Sequence, residues 1–374
     1  MKITISPDSF KGSLSAKQAA DIIAEAGYDV FGEIEIDQKP MADGGEGTVD
    51  ALIFSTDGKR FHKEVKGPLG EQVEAYYGVH GSEQTAFVEV GNTAGLVQVP
   101  ENKRNPFHTT SYGLGEIILE VVDQGYREII IGLGGSATND GGLGMLTALG
   151  AKFFDDSGVE VGVYGEDLLN VSQVDLSGLD ERLFDIELKV ASDVNNPLCG
   201  PNGASAVFGP QKGATVQQIK ELDQAIGSYG SLVNEPIKDH PGAGAAGGLG
   251  FALLALGASL ESGAELVGQT MGLEDTIKNS DFVVTGEGQS DHQTLYGKAP
   301  SYVAQLAKQY DKPVVLLSGA IDDPQLKLLD YFTSVFSIVN QPMTLQKAMN
   351  QVEQLLYNQS YQIFQFYKQV GESK

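Results

Sequence analysis

The sequence predicts an α/β protein. A parallel-sheet domain built from both ends of the chain carries a large inserted domain. Three observations predict it. Ile3-Thr4-Ile5, Asp281 to Thr285 and Val314 to Ser318 are short apolar runs of the kind that form buried parallel strands. Strand–helix alternation fills the residues before about 65 and after about 278, with five strand candidates in all. Between them the texture changes. Val73 to Val79 and Thr85 to Val90 alternate between glycines, without helices long enough for βαβ units, which reads as antiparallel sheet and a change of domain. The expected division is residues 1–65 plus 278–374 for the discontinuous parallel domain and 66–277 for the insertion.

Composition narrows the function classes. The chain has 374 residues, 50 Asp+Glu against 25 Lys+Arg, and a formal charge of −25. Such a field repels nucleic acid and anionic membrane, so neither is an expected partner. Any anionic ligand needs local glycine N–H groups, a lysine or a divalent cation. Cys199 is the single cysteine, so no internal disulfide forms and a reducing, cytoplasmic setting is expected. The segment MKITISPDSF lacks the apolar core of a signal peptide, and Leu249 to Ala258 is too short to span a bilayer. Five scattered histidines without an HExxH pattern argue against zinc, and no GxSxG elbow argues for a hydrolase.

The first element, Ile3 to Ile5, runs into Ser6-Pro7-Asp8-Ser9-Phe10-Lys11-Gly12. Ser15 then reads as an N-cap with Gln18 three residues on, and Ala19, Ile22, Ile23 and Ala26 follow at helical spacing up to Gly27. Asp8, Ser9 and Lys11 thus stand at the carboxyl end of a strand, where open α/β sheets bind ligands. The plainer reading is that Asp8 and Ser9 cap the helix. Glu33 to Lys39 is a second strand and delivers Asp43 and Glu46 in a glycine turn before a helix from Val49 to Phe54. Two carboxylates there suit Mg²⁺ or a pair of hydroxyls. Helix capping, with Glu46 answering the N-terminal dipole, is the other reading. Arg104 lies in the polar loop RNPFHTTSYG and could hold a carboxylate bidentately, or be an ordinary surface arginine.

The centre of the chain is Gly132 to Gly150, GLGGSATNDGGLGMLTALG, after the apolar run Ile129 to Ile131. Strand, glycine turn and helix would aim backbone N–H groups and a helix N-terminus at an anion. Gly134, Gly135, Ser136, Ala137, Thr138 and Asn139 form the candidate phosphate turn. A tight turn that binds nothing is the alternative. Lys189 to Ser192 is a further strand, leading to Asp193, which could serve as base or metal ligand or could make an Asx turn before Pro197. Lys212 follows in AVFGPQKG. Residues 242–247 match GxGxxG, but no strand precedes them, so close packing of the next helix explains those glycines better. After the strand at Asp281 come Glu287 and Asp291, then Lys298 at the start of a helix. Gly297-Lys298 lacks the spacing of a Walker A loop. Carboxylates, lysines and glycine N–H groups together suit Mg²⁺-assisted phosphoryl transfer. The competing reading is an NAD(P)-dependent dehydrogenase of a small hydroxy acid. It rests on Gly132 to Ala137 as GxGxxA and Asp155 as the ribose-binding acid.

SPDSFKGSLSA (6–16), PMADGGEGTVDAL (40–52), RNPFHTTSYGLGE (104–116), GLGGSATNDGGLGMLTALGA (132–151), ASDVNNPLCGPNGASAVFGPQKGA (191–214), GAGAAGGLG (242–250) and TGEGQSD (285–291) carry a resemblance. In this order, over nearly the whole chain, they resemble the type-1 glycerate kinase family. The resemblance implies ATP-dependent phosphorylation of D-glycerate, usually to 2-phosphoglycerate rather than 3-phosphoglycerate. It also implies a flavodoxin-like (Rossmann-like) domain with an inserted mixed α/β domain, and a monomer or homodimer. Position and chemistry then suggest roles. Asp193 is the first candidate for the base, with Asp8 next and Lys11 beside it. Lys11 and Lys298 would neutralise phosphate charge, and the 134–139 turn would cradle phosphate oxygens. Glu287 and Asp291 would hold Mg²⁺. Ser9, Asp43, Glu46 and Arg104 would bind glycerate.

Overall fold

The computed structural model describes residues 1–295 and 297–372 and divides into two compact units. The first comprises Met1–Asp43, Asp50–Thr56 and the chain from Gly263 onward; the second comprises Gly44–Val49 and Asp57–Ser262. The sequence placed the junctions near 65 and 278. Lys59–Lys66 pairs along its whole length with Gln72–Val79, so it belongs to the second unit. Helices Gly263–Thr270 and Leu273–Lys278 pack on helix Ala299–Gln309, so they belong to the first.

The first unit is built on a five-stranded, wholly parallel sheet. Its order is Ser334–Ser337, Val314–Asp322, Phe282–Asp291, Lys2–Ile5, Glu35–Gln38. Ile3, Ile5, Val283, Val284, Leu316 and Leu317 are all buried, as strands covered on both faces require. Helix Ala16–Phe31 starts at a Ser15/Gln18 capping box, as the spacing predicts. It does not stop at Gly27. It continues to Phe31 and ends on Gly32 in a positive-φ conformation. Gly27 is inside the helix because a Cβ there would stand 3.0 Å from Ile36 Cδ1. The C-terminal helical pattern is two helices, Leu345–Asn350 and Val352–Glu372. The strand expected to end at Thr285 continues to Asp291. Glu287 to Asp291 pair with Ser318 to Asp322, which fixes both carboxylates on the sheet.

The second unit has a six-stranded mixed sheet in the order Ser259–Glu261, Glu187–Ala191, Glu128–Gly132, Thr85–Glu89, Gln72–Val79, Lys59–Lys66. The first four are parallel and the last two antiparallel. Thr85–Glu89 is therefore antiparallel on one edge only. Its core joins Ile129, Ile131, Val88 and Val190 of the sheet to Leu114, Ile117, Ile118 and Val121 of helix Tyr112–Asp123, and to Leu249, Phe251 and Leu253. The Lys152–Phe154 strand lies outside this sheet, in a small hairpin with Gln173–Asp175. Among the described residues, no helix is long and apolar enough to cross a membrane.

Candidate active site

In the first unit the charged residues gather at the carboxyl end of the parallel sheet. The loop after Lys2–Ile5 is tied to its neighbour strand: Ser6 N–H donates to Val284 O (2.8 Å) and Asp8 N–H to Gly286 O (2.8 Å). On the other side Met41 N–H donates to Pro7 O (2.8 Å), which brings Asp43 alongside. Lys11 Nζ lies 3.7 Å from Asp43 Oδ2, with its side chain 79% exposed. The Asp43 carboxylate, foremost, raises the Lys11 pKa. Asp8 is only 7% exposed, and its Oδ1 accepts the Ser9 N–H at 2.6 Å. The helix is capped by Ser15, so neither Asp8 nor Ser9 is spent on capping it. Burial, then the nearby Asp43 and Glu287 carboxylates, push the Asp8 carboxyl up to about 7.

Glu287 is 5% exposed, and its Oε1 accepts from Ser290 Oγ (2.8 Å) and Thr294 Oγ1 (2.7 Å). Burial raises its pKa, against those two hydroxyls and the charge of Lys298; Asp291 adds to the rise. Lys298 itself sits at the N-cap of helix Ala299–Gln309, half-buried. Asp8, Lys11, Asp43, Glu287, Asp291 and Lys298 thus form one chain of electrostatic neighbours. Among the described residues no three His, Cys, Asp or Glu side chains are placed to hold a metal as a closed cage. Mg²⁺ does not ask for one: it is commonly held by one or two carboxylates plus substrate phosphates and water. Glu287 and Asp291 carry hard oxygen atoms of the kind that such an ion takes.

The second unit holds the glycine turn, and its neighbours arrive from far along the chain. Gly134 N–H donates to Gly44 O (3.0 Å), Leu96 N–H to Gly135 O (2.7 Å) and Ala137 N–H to Ala94 O (2.8 Å). Thr109 Oγ1 donates to Ala137 O (3.1 Å). Among the described residues the N–H groups of Gly135, Thr138 and Asn139 have no acceptor, while Gly134 and Gly135 form a turn that Ser136 N–H closes. Thr138 Oγ1 and Asn139 Oδ1 are buried without a partner, as is Arg104 Nε. Groups left so in a native fold call for an explanation, and an absent ligand is one. The Asn139 amide donates to Ser205 Oγ at 2.7 Å.

The helix after the turn does not serve the anion, contrary to the sequence expectation. It is only Leu143–Ala148, and Asp140 already occupies its start. The buried Asp140 carboxylate accepts from Gly142 N–H (3.1 Å), Gly144 N–H (3.3 Å) and both Ser111 N–H and Oγ (2.8 and 2.7 Å). Asp140 takes up the N–H groups at that helix start, and burial raises its pKa. The turn's own N–H groups are what remain.

The other predicted residues are placed as follows. Glu46 is exposed, and the helix-capping role considered for it is filled by Glu89, which sequence reasoning missed. Glu89 is buried and accepts from Gly47 N–H (3.1 Å) and Val49 N–H (3.3 Å). Arg104 is half-buried; its carbonyl packs against Gly213, which has no room for a Cβ there. Asp193 is exposed, two residues beyond the strand Glu187–Ala191. Lys212, which the sequence left without a role, is buried beneath the turn. Its Nζ donates to Ser136 Oγ (2.9 Å) and Thr138 O (2.6 Å).

The dehydrogenase reading loses its acid. Asp155 is half-buried, and its Oδ1 accepts from Ser157 and Val159 N–H (both 2.9 Å) within its own turn. Its strand is in the separate hairpin, not beside Glu128–Gly132. The glycines of 242–250 are packing residues: a Cβ at Gly247 would collide with the Thr138 carbonyl, and one at Gly250 with that of Gly242.

Parallel α/β architecture, a glycine turn with unpaired N–H groups and clustered carboxylates and lysines define the class, an enzyme equipped for phosphoryl chemistry. The family model described as the glycerate kinase family matches residues 3–368, and the chain belongs to that family. It is therefore a kinase, a phosphotransferase. It is 48% identical to glycerate 2-kinase of Escherichia coli (strain K12) over 354 residues, 93% of each chain. It is 46% identical to glycerate kinase of Bacillus subtilis (strain 168), again over 93% of each. A crystal structure provisionally assigned to glycerate kinase 2 of Salmonella typhimurium LT2 superposes with a TM-score of 0.89 at 43% identity, covering all of both chains.

Proposed function

We propose that the protein transfers the γ-phosphoryl group of Mg-ATP to D-glycerate in the cytoplasm, forming 2-phosphoglycerate. The observation that supports this reading is the turn at 135–139, where the N–H groups of Gly135, Thr138 and Asn139 have no acceptor among the described residues and Gly135 is exposed. A substrate hydroxyl attacks the γ-phosphorus, the bond to the β,γ-bridging oxygen breaks, and ADP leaves. Asp8 takes the hydroxyl proton, because burial holds its carboxyl near neutrality, where a general base works best. Asp193, the first candidate on sequence, is exposed, and it is assigned to orienting the hydroxyl. Lys11 and Lys298 neutralise phosphate charge. Ser9, Asp43, Glu46 and Arg104 bind glycerate, with Arg104 on the carboxylate. Mg²⁺, when held by Glu287 and Asp291, supplies charge neutralisation at the transferring group.

The reaction is tested by incubating the protein with D-glycerate and Mg-ATP and following ADP and product by ³¹P NMR. ADP and 2-phosphoglycerate are expected, with no NADH formed from glycerate and NAD. Formation of 3-phosphoglycerate would overturn the regiochemistry; NADH without ADP would overturn the reaction. Asp193→Asn should lower kcat by about tenfold and leave Tm and the pH profile unchanged. A loss of about 10²–10⁴-fold would instead make Asp193 the base.

A further inference from the structure

The turn that takes phosphate in the reading above contains no cationic residue between Gly132 and Asp140, in a chain whose formal charge is −25. The cation is supplied from 74 and 76 residues away. Lys212 is only 2% exposed, and its amino group is fixed by two contacts, to Ser136 Oγ and Thr138 O. It therefore grips both sides of Ala137 from beneath, and so fixes a stretch that includes unpaired N–H groups. Gly213, the next residue, has φ +88 and lies against the Arg104 carbonyl, where any Cβ would collide.

We propose that Lys212 is a positioning residue of the phosphate turn and that anion binding at the turn draws one proton onto its amine. The contacts fit both protonation states. A neutral amine has two N–H donors, which match the two acceptors recorded, and an ammonium has a third to spare. Burial holds the Lys212 pKa down to about 7. Asp140 is the charged group whose field reaches it, and that carboxylate is already engaged by Ser111, Gly142 and Gly144. Of the other charged groups nearby, Arg104 abuts the following residue through its main chain, and His108 of the same loop is exposed and paired with Glu166 at 3.3 Å. A phosphate on the outer side of the turn adds negative charge and favours the ammonium.

The inference rests on the turn being the phosphate site, and the test separates the two. Mg-ADP binding is measured by titration calorimetry at pH 8 in two buffers of different ionisation enthalpy. The wild type, Lys212→Arg, Lys212→Met and Gly135→Val are compared. The wild type should take up close to one proton on binding, and Lys212→Arg should bind without uptake. Lys212→Met should bind about 10–100-fold more weakly, the loss expected for one charge-assisted contact. Nucleotide binding by the wild type without proton uptake, or uptake that persists in Lys212→Arg, overturns the role of Lys212 even if Lys212→Met does not fold. Unchanged binding by Gly135→Val overturns the turn as the phosphate site, whatever Lys212 does.

Discussion

Asp8→Asn should lose about 10²–10⁴-fold in kcat, the usual worth of a positioned general base, while becoming more stable than the wild type at pH 8. The two effects share one cause. Asp8 is buried beside the Asp43 and Glu287 carboxylates, so its pKa rises from 3.8 to about 7. The folded chain tolerates the ionised form less well than the unfolded chain does. Stability is therefore greatest below pH 3.8 as far as this group is concerned, falls as pH rises, and reaches its full loss above about 7. A shift of this size corresponds to on the order of 4 kcal/mol. Asparagine keeps the shape and can still accept the Ser9 N–H, but it carries no charge to bury. Its advantage in Tm should be absent near pH 3.5 and grow to several degrees at pH 8. The wild-type kcat should climb with pH through about 7 and the mutant's should not. A mutant within tenfold of wild-type kcat would remove Asp8 as base; a lower Tm than wild type at pH 8 would remove the burial argument.

The second large effect is Gly135→Val, expected to weaken nucleotide binding or lower kcat by about 100-fold, with the fold retained. Gly135 has φ +72, and a Cβ there would meet only Gly91 Cα, 4.0 Å away. The space in front of it is open, so the valine side chain fills the place of a ligand rather than colliding with the protein. The left-handed backbone costs a β-branched residue about 1–2 kcal/mol, which a unit of this size can bear. The neighbouring glycine is the control. A Cβ at Gly134 would strike Gly45 Cα, so Gly134→Ala should lower Tm even though it is the smaller change. Ser136→Ala should be milder than either, since it removes one of the two acceptors of Lys212 and leaves the backbone donors in place. Calorimetry with Mg-ADP and a melting curve for each variant check all three. Gly135→Val with unaltered nucleotide kinetics would make the turn structural.

Much of this molecule is legible in its sequence. The Ser15/Gln18 capping box acts across three residues, and the chain states it locally. The mostly apolar runs at Ile3 and Val283 are long enough to be strands and too short to be helices, and their buried side chains are covered on both faces. The glycine turn after Ile129–Ile131 showed its need for close backbone approach in its composition. Where the reading went astray, the competing interaction came from elsewhere in the sequence. Gly27 marks the approach of Ile36 rather than a helix end. The TGEGQSD segment is strand because Ser318 to Asp322 offer it a pairing edge.

The sequence by itself determined the family, the parallel α/β core and the loops that hold the charged residues, because these follow from periodicity, local capping and the order of motifs along the chain. Tertiary structure alone decided what each charged group can do. Asp140 and Asn139 are adjacent, yet one is sealed by four hydrogen bonds from Ser111, Gly142 and Gly144, and the other keeps a buried oxygen unpartnered. Glu46 and Glu89 exchanged the capping role because Glu89 is the one buried within reach of the Gly47 and Val49 N–H groups. Lys212 and Lys11 are both lysines in glycine loops, but burial lowers the pKa of one and the Asp43 carboxylate raises that of the other. Desolvation and Coulomb fields depend on which residues pack around a group, and most of those lie dozens of positions away in the chain.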